Sequence, residues 1–295
     1  MTDVFIVGCG YVGLRVAQLA LAQQQQVTAL ARSTTRQAQL QAYGIQTMSG
    51  DLDQPQTLAQ LPTHNSLLYY FAPPPSQGVT DPRLIHFLNA LKPQHWPRKI
   101  ILISTTGVYG DCGGAWIDEE QPLNPQTDRA RRRVHAETTL LQWCRTQDVA
   151  AVILRVPGIY GPERLPIQRL QEKLPVLDEM VSPFSNRIHI DDLARACIAA
   201  ADKGKAGQVY NISDGHPTTM TDFFNQVADI LGLPRPPVIN VLEAQTQLSA
   251  PMQSYLSESK RLDNWKMCKE LGIVPQYPNL ALGLAHCIQQ QHQEN

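Results

Sequence analysis

Short β-branched runs alternating with longer helical patterns, a glycine-rich turn straight after the first run, and a return of the same rhythm beyond residue 187 predict an α/β fold. The expected architecture is a doubly wound parallel sheet with a smaller C-terminal substrate-binding lobe. Val4–Val7 has the composition of a buried strand, and the helix after its glycines carries Val12, Val16, Leu19 and Ala20 on one side. Val27–Ala31 is the second strand and Ile45–Met48 a short third. Ser66–Phe71 and Lys99–Ser104 follow, each after a helical or proline-marked segment, and Val149–Val156 is the sixth. Apolar strands separated by helices need crossover connections, which place helices on both faces of a parallel sheet. Beyond Pro157 the rhythm breaks, with prolines at 162, 166, 175 and 183 and a second cluster at Pro234, Pro236 and Pro237. Arg187–Ala200 and Gln208–Ser213 return to the core pattern between them. These shifts divide the chain into a first domain, 1–160 with returns at about 187–213, and a smaller lobe formed by 161–186 and 214–295. The Gln23–Gln26 run and the Gln-rich last residues read as solvated helix ends, and no internal repeat is found.

The chain has 295 residues, and 43% of them are hydrophobic, enough for a sizeable core and too many for a disordered chain. Lys and Arg number 25 against 26 Asp and Glu, a net charge of −1. A near-neutral chain without a basic tail has no electrostatic reason to seek nucleic acid or an anionic membrane, so the expected partner is a small molecule. Cysteines at 9, 112, 144, 197, 268 and 287 form no C-x-x-C pair and no zinc spacing, so no metal is expected and a reducing compartment fits. The first ten residues lack the basic region of a signal peptide, and no apolar run nears the ~18 residues that span a bilayer. The expectation is a cytoplasmic monomer or homodimer.

The strongest local signal is Gly8-Cys9-Gly10-Tyr11-Val12-Gly13 between the first strand and the first helix. Glycines there permit a tight turn and close approach of backbone to a pyrophosphate seated on the helix N-terminus. An acid about 20 residues beyond them would bind the ribose of NAD. Position 32 is instead Arg, followed by Ser33 with Arg36 nearby, and no acid occurs before Asp51. An arginine fork suits a 2′-phosphate, so NADP is expected over NAD; the alternative is that Arg32 only solvates a strand end. Asp51 and Leu52 follow the third strand and suit the adenine end. Ala72-Pro73-Pro74-Pro75 closes the fourth, either as a stiff wall at the ligand-binding edge or as a plain rigid loop.

With these motifs in order, the sequence resembles the extended and atypical short-chain dehydrogenases/reductases, the NAD(P)-dependent epimerase/dehydratase-like proteins with a Rossmann-like fold. Gly10 and Gly13 match that family's glycine loop, whereas Val7 stands where its first glycine usually is. Gly50-Asp51-Leu52, Ser104-Thr105-Thr106-Gly107-Val108-Tyr109-Gly110 and Leu154-Arg155-Val156-Pro157-Gly158-Ile159-Tyr160-Gly161-Pro162 resemble further signatures. So do Arg187-Ile188-His189-Ile190-Asp191-Asp192-Leu193-Ala194 and Val209-Tyr210-Asn211-Ile212. The resemblance implies an NAD(P)-binding oxidoreductase or epimerase-like protein, with Pro157 among the cofactor contacts and Thr105 orienting the reacting oxygen.

One departure bears directly on chemistry. The family uses a Tyr and, four residues later, a Lys that lowers its pKa, so that the phenol exchanges a proton near neutrality. The resemblance places these at Arg129 and Arg133; no Tyr occurs between Tyr109 and Tyr160 and no Lys between Lys99 and Lys173. Helical spacing turns Arg129 and Arg133 toward the core or cleft and Arg131 and Arg132 outward. Positive charges in a first helical turn oppose the helix dipole, so an anion should compensate: either Asp118-Glu119-Glu120 or a bound phosphate or carboxylate. Tyr160 is the nearest phenol in the motif set and a candidate substitute acid, with Tyr109 and His189 more distant. His189 reads mainly as structural, and Asp191 and Asp192 as caps of the helix through Ala199. The cleft is expected to be lined by residues after the sixth strand, the 162–187 segment and the second proline cluster. Arg164 and Arg187 would suit an anionic substrate such as a nucleotide-sugar. Two functions stay open: an NADP-dependent enzyme with a non-standard acid/base group, and a non-catalytic dinucleotide-binding sensor or scaffold.

Overall fold

The computed structural model describes residues 3–293; Met1, Thr2 and the last two residues of the Gln-rich end lie outside the described residues. Seven parallel strands form the central sheet. Five come from the first part of the chain: β1 (Val4–Val7), β2 (Val27–Ala31), β3 (Gln46–Ser49), β4 (Leu67–Tyr70) and β5 (Lys99–Thr105). The other two are Ala150–Val156 and Gln208–Asn211, and across the sheet the order is Gln208–Asn211, Ala150–Val156, β5, β4, β1, β2, β3. Strand ends lie within a residue or two of those predicted, the usual fraying of element boundaries.

Helices cover both faces, as crossover connections between parallel strands require. The alternation of side chains along each strand sends Val4 and Ile6 of β1 into one core and Phe5 and Val7 into the other. Helix α1 (Tyr11–Ala22) and the helix Ile190–Lys203 close the first core with Val16, Ala17, Ala20, Leu193 and Cys197. On the second face, α3 (Pro82–Ala90) contributes Leu84 and Phe87, and α4 (Asp128–Gln147) contributes Ala136, Leu140 and Cys144. Helix α2 (Thr34–Ala42) packs Leu40 beside α1.

A third core belongs to the smaller lobe, where Phe223, Phe224, Val227, Leu280 and Leu284 gather around Tyr160 and Leu170. Two short pairings lie outside the central sheet: Arg187–His189 runs parallel to Gly158–Tyr160, and Phe184–Ser185 antiparallel to Thr218–Thr219. Trp116–Ile117 pairs with Arg261–Leu262 in a further two-stranded ladder. The sheet's connections diverge between β1 and β4, and ligands of such sheets bind at that switch point, beyond the strands' carboxyl ends.

Candidate active site

A groove of about 540 Å³ opens at the switch point and is floored by the turn after β1. Gly8 makes that turn at φ +92°, and a Cβ there would lie 2.4 Å from the Ala72 backbone nitrogen. The first tight-turn glycine is thus Gly8, which compensates for Val7 at the family's usual position. Gly10 N–H donates to the Gly8 carbonyl at 2.8 Å, and a Cβ on Gly10 would meet nothing within 4 Å, so it faces open groove. Tyr11 and Val12 open α1 with N–H groups that the helix itself cannot satisfy, an arrangement suited to phosphate oxygens.

Arg32 lines the groove at the end of β2 and is exposed. Ser33 is also exposed but does not line the groove; its hydroxyl accepts the Arg36 N–H at 3.2 Å and caps α2. Arg36 had no assigned contact from sequence. Its Nη2 donates to the Cys9 carbonyl at 2.6 Å, clamping the glycine turn to α2. Asp51 and Leu52 line the opposite side, where Asp51 Oδ1 accepts the Asp53 N–H at 3.0 Å. Arg83 was missed altogether. It forks onto Asp53 at 2.8 and 2.6 Å and donates to the Pro73 carbonyl at 3.0 Å. This fork holds the Asp53 carboxyl below the usual range and fixes the wall formed by Ala72 and Pro73.

The groove abuts a second cavity of about 860 Å³, and Pro73, Arg83, Arg133 and Ile159 line both. Thr105 lines the second cavity from the end of β5, its Oγ1 accepting the Gly107 N–H at 3.4 Å. Pro157 borders this cavity rather than the first groove, because the chain turns there into Gly158–Tyr160. Arg129, Arg132 and Arg133 all enter from α4. Arg132 is therefore not outward-facing: the loop after β4 folds over the first turns of α4, and Arg132 Nη1 donates to the Gly78 carbonyl at 2.6 Å. The Arg129 guanidinium lies 4.3 Å over the ring of Tyr255, a residue with no sequence signal for the site. The second proline cluster does not line the cavity; Met252, Tyr255, Glu258 and Lys260 do.

The acidic run does not compensate these arginines. Glu119 instead accepts the Asn211 N–H at 2.6 Å, and its carbonyl accepts from Arg155. Beneath Thr105, Ser104 Oγ donates to Glu137 at 2.5 Å and Arg155 forks onto the same carboxylate at 3.3 and 2.8 Å. Arg155 also donates to the Tyr109 hydroxyl at 2.9 Å, which donates to Asn211 Oδ1 at 2.8 Å. Burial pushes the Tyr109 phenol up to about 12, and its hydrogen bonds are spent on structure.

Tyr160 is equally removed from acid–base duty. Its ring sits in the smaller lobe's core, its hydroxyl reaches toward the Asn279 carbonyl at 3.5 Å, and it lines neither cavity. Pairing of Gly158–Tyr160 with Arg187–His189 turns it that way, and burial raises its pKa well above a phenol's ordinary value. His189, not the aspartates, caps the following helix: its Nδ1 accepts the Asp191 N–H at 3.2 Å. Asp192 instead accepts backbone N–H groups of Gln276 and Tyr277 at 2.8 and 2.9 Å. His189, Asp191 and His286 come close enough to share an ion, yet His189 Nδ1 holds a backbone N–H and Asp191 pairs with Arg15 at 2.5 Å. Protein contacts alone account for that cluster.

Arg187, anticipated as an anion contact, lines the second cavity with its guanidinium 4.0 Å over Phe223. Arg164 lines the first groove instead, 4.8 Å over Tyr11. Behind Arg187 the Asp214 carboxyl is pushed up to about 7, chiefly by burial, with Oδ2 lacking a partner. A carboxyl raised in the folded state contributes stability that is complete below its unfolded pKa and is lost as pH rises through the folded value. Asp214→Asn should therefore flatten the fall in melting temperature between about pH 4 and about pH 8 and raise stability at the upper end by roughly 1–3 kcal/mol. Unchanged curvature of melting temperature against pH would refute it.

A seven-stranded parallel sheet with a glycine turn at its switch point and a groove above it defines a dinucleotide-binding α/β protein. The chain belongs to the NAD dependent epimerase/dehydratase family, whose family model matches residues 4–213. It is 28% identical over 291 residues to Protein YeeZ of Escherichia coli K12, covering 95% of this chain and 97% of that one. The structure of a functionally unknown conserved protein from Silicibacter pomeroyi superposes with a TM-score of 0.82 at 28% identity and full coverage of both chains. The UDP-glucose 4-epimerase of Thermotoga maritima, solved with UDP-glucose, gives a TM-score of 0.80 at 17% identity, with 99% of each chain covered, which shows the shared fold. Among the described residues no helix is long and apolar enough to cross a membrane.

Proposed function

We propose that the protein is an NADP(H)-dependent oxidoreductase or epimerase-type enzyme acting on a small molecule in the second cavity. The observation that carries this reading is the continuity of the two spaces: a groove fitted for a dinucleotide opens, past Arg133 and Ile159, onto a cavity that carries Thr105. On this reading residues 1–160 and about 187–213 hold the cofactor, and 161–186 with 214–295 close over the substrate. The backbone from Gly8 through Gly13, including Tyr11 and Val12, would take the pyrophosphate. Asp51 and Leu52 would flank the adenine end, with Ala72 and Pro73 as the wall. A bound nicotinamide supplies hydride exchange. Thr105 orients the reacting oxygen, while Arg129 and Arg133 steady negative charge, since an arginine does not exchange protons near neutral pH. Of the side chains lining the second cavity, Tyr255, Glu258 and Lys260 carry a phenol, a carboxyl and an amine. A nucleotide-sugar, such as the UDP-glucose of the Thermotoga epimerase, is one substrate class the fold relatives bring forward. A second reading, a non-catalytic dinucleotide-binding sensor, is favoured by Arg129 and Arg133 standing where the resemblance places the family's Tyr and Lys. NADPH consumption with a broad panel of carbonyl compounds separates the two: turnover of any member establishes the enzyme, and silence across the panel favours the sensor.

The preference for NADP rests on Arg32, exposed in the groove with no carboxylate at the end of β2. Arg32→Ala should weaken NADPH binding by roughly 1–3 kcal/mol, the range of one charge-assisted hydrogen bond, and leave NADH nearly unchanged. Arg36→Ala should weaken both, because Arg36 braces the Cys9 carbonyl that shapes the glycine turn. Titration of both nucleotides decides it. Equal affinities in the parent protein would mean that Arg32 merely solvates the strand end.

A further inference from the structure

Arg129, Arg132, Arg133 and Arg187 line the second cavity, and among the described residues none of them is in an ion pair. Arg132 Nε, Arg133 Nη1 and Arg187 Nε are buried without any hydrogen-bond partner. The one carboxylate that lines the same cavity, Glu258, accepts from Lys260 at 2.6 Å, and the two charges cancel. Arg83 is likewise committed to Asp53. Three of the uncompensated cations sit in the first two turns of α4, where the helix dipole already disfavours positive charge. The nearest acid behind Arg133, Asp81, spends Oδ1 on capping α3 and is itself disfavoured as an anion by burial. A buried guanidinium lacking an acceptor costs free energy that a bound oxyanion would return.

We infer that the α4 arginines hold a carboxylate or phosphate group of the substrate at the end of the cavity that meets the cofactor groove. The substrate would then carry its anionic group beside the carbon that reacts. This rests on the cofactor reading above for which end is the reacting one. Arg133 lines both spaces, which places its charge at the junction. Arg129 is held over the face of Tyr255, so its edge donors are free for a ligand. Arg187, on a different element, offers a second anionic position farther along. The ligand class is a small molecule with an oxo or hydroxyl carbon next to a carboxylate or phosphate ester, with room for a second acid.

The test is calorimetric titration of the NADPH-saturated protein with inorganic phosphate, malonate and UDP, repeated with Arg129→Gln and Arg187→Gln. Arg129 is half-buried, and its replacement is checked by thermal melting. Phosphate or malonate is expected to bind saturably, and Arg129→Gln to weaken it about tenfold or more while NADPH affinity moves less than about twofold. The stronger of the two anions identifies phosphate ester or carboxylate. Failure of both anions to bind, or indifference to Arg129→Gln, overturns the inference. So does phosphate and malonate binding that depends on Arg187 alone, since that puts the charge away from α4. If NADPH itself fails to bind, the cofactor reading falls, and the same titration on cofactor-free protein still decides whether Arg129 binds anions.

Discussion

Gly8→Ala is expected to lower stability by about 2–4 kcal/mol, adding the strain of a left-handed backbone to that of overpacking. The backbone angle of +92° is one that an L side chain rarely adopts. The added methyl would also lie 2.4 Å from the Ala72 nitrogen and 2.7 Å from its Cα. Those atoms belong to the backbone that leaves β4, and β4 is paired with β1 on one side and β5 on the other, so neither side can yield cheaply. A melting temperature lower by roughly 3–7 °C follows for a chain of this size. Gly10→Ala provides the contrast, because its methyl meets no protein atom within 4 Å. That variant should melt like the parent and lose NADPH affinity, since the methyl occupies the space left for a pyrophosphate. A Gly8→Ala protein that melts within about a degree of the parent would show that the turn relaxes, against the close contact seen here.

Much of the sheet was legible because its signals are local. Each strand is a short apolar run, and the glycine turn lies between a strand and an amphipathic helix, so period and spacing suffice. The glycine turn and Arg32 followed from that placement, whereas Ser33 and Pro157 do not line the groove and Arg83 was not anticipated. What sequence missed was set by distant chain. Helical spacing put Arg132 on the solvent face of α4, and nothing in that spacing announces that the loop carrying Gly78 packs across it. Tyr160 reads as a cavity residue from its place just after the sixth strand, but a strand pairing with residues 187–189 turns it into the other lobe. Tyr255 and Glu258 sit on a short helix and the turn after it, in a segment with no periodicity. Just beyond them, Arg261–Leu262 pairs with Trp116–Ile117, a contact between distant parts of the chain.

Glu137→Ala should be more damaging still, costing about 3–5 kcal/mol, the range for breaking one partner of a buried ion pair. The side chains of Arg155 and Glu137 are only 6% and 4% exposed, and both guanidinium contacts converge on the one carboxylate. Without it, Arg155 keeps the Tyr109 hydroxyl and the Glu119 carbonyl but remains an uncompensated buried charge. The loss spreads because the same carboxylate accepts from Ser104, the residue before Thr105, and because Tyr109 passes the chain of bonds to Asn211. Four elements are thereby tied beneath Thr105: β5, α4, Ala150–Val156 and Gln208–Asn211. The pair's own contribution is separable from the cost of stranding one partner. Glu137→Leu combined with Arg155→Met removes both charges while keeping most of the volume, and such replacements of buried pairs are often neutral or better. The double variant is therefore expected to melt above Glu137→Ala, with a coupling energy of about 1–3 kcal/mol from the full cycle. If the double variant instead melts at or below the single one, the pair holds the sheet edge by geometry that apolar side chains cannot supply, and Thr105 then depends on the ion pair itself for its position.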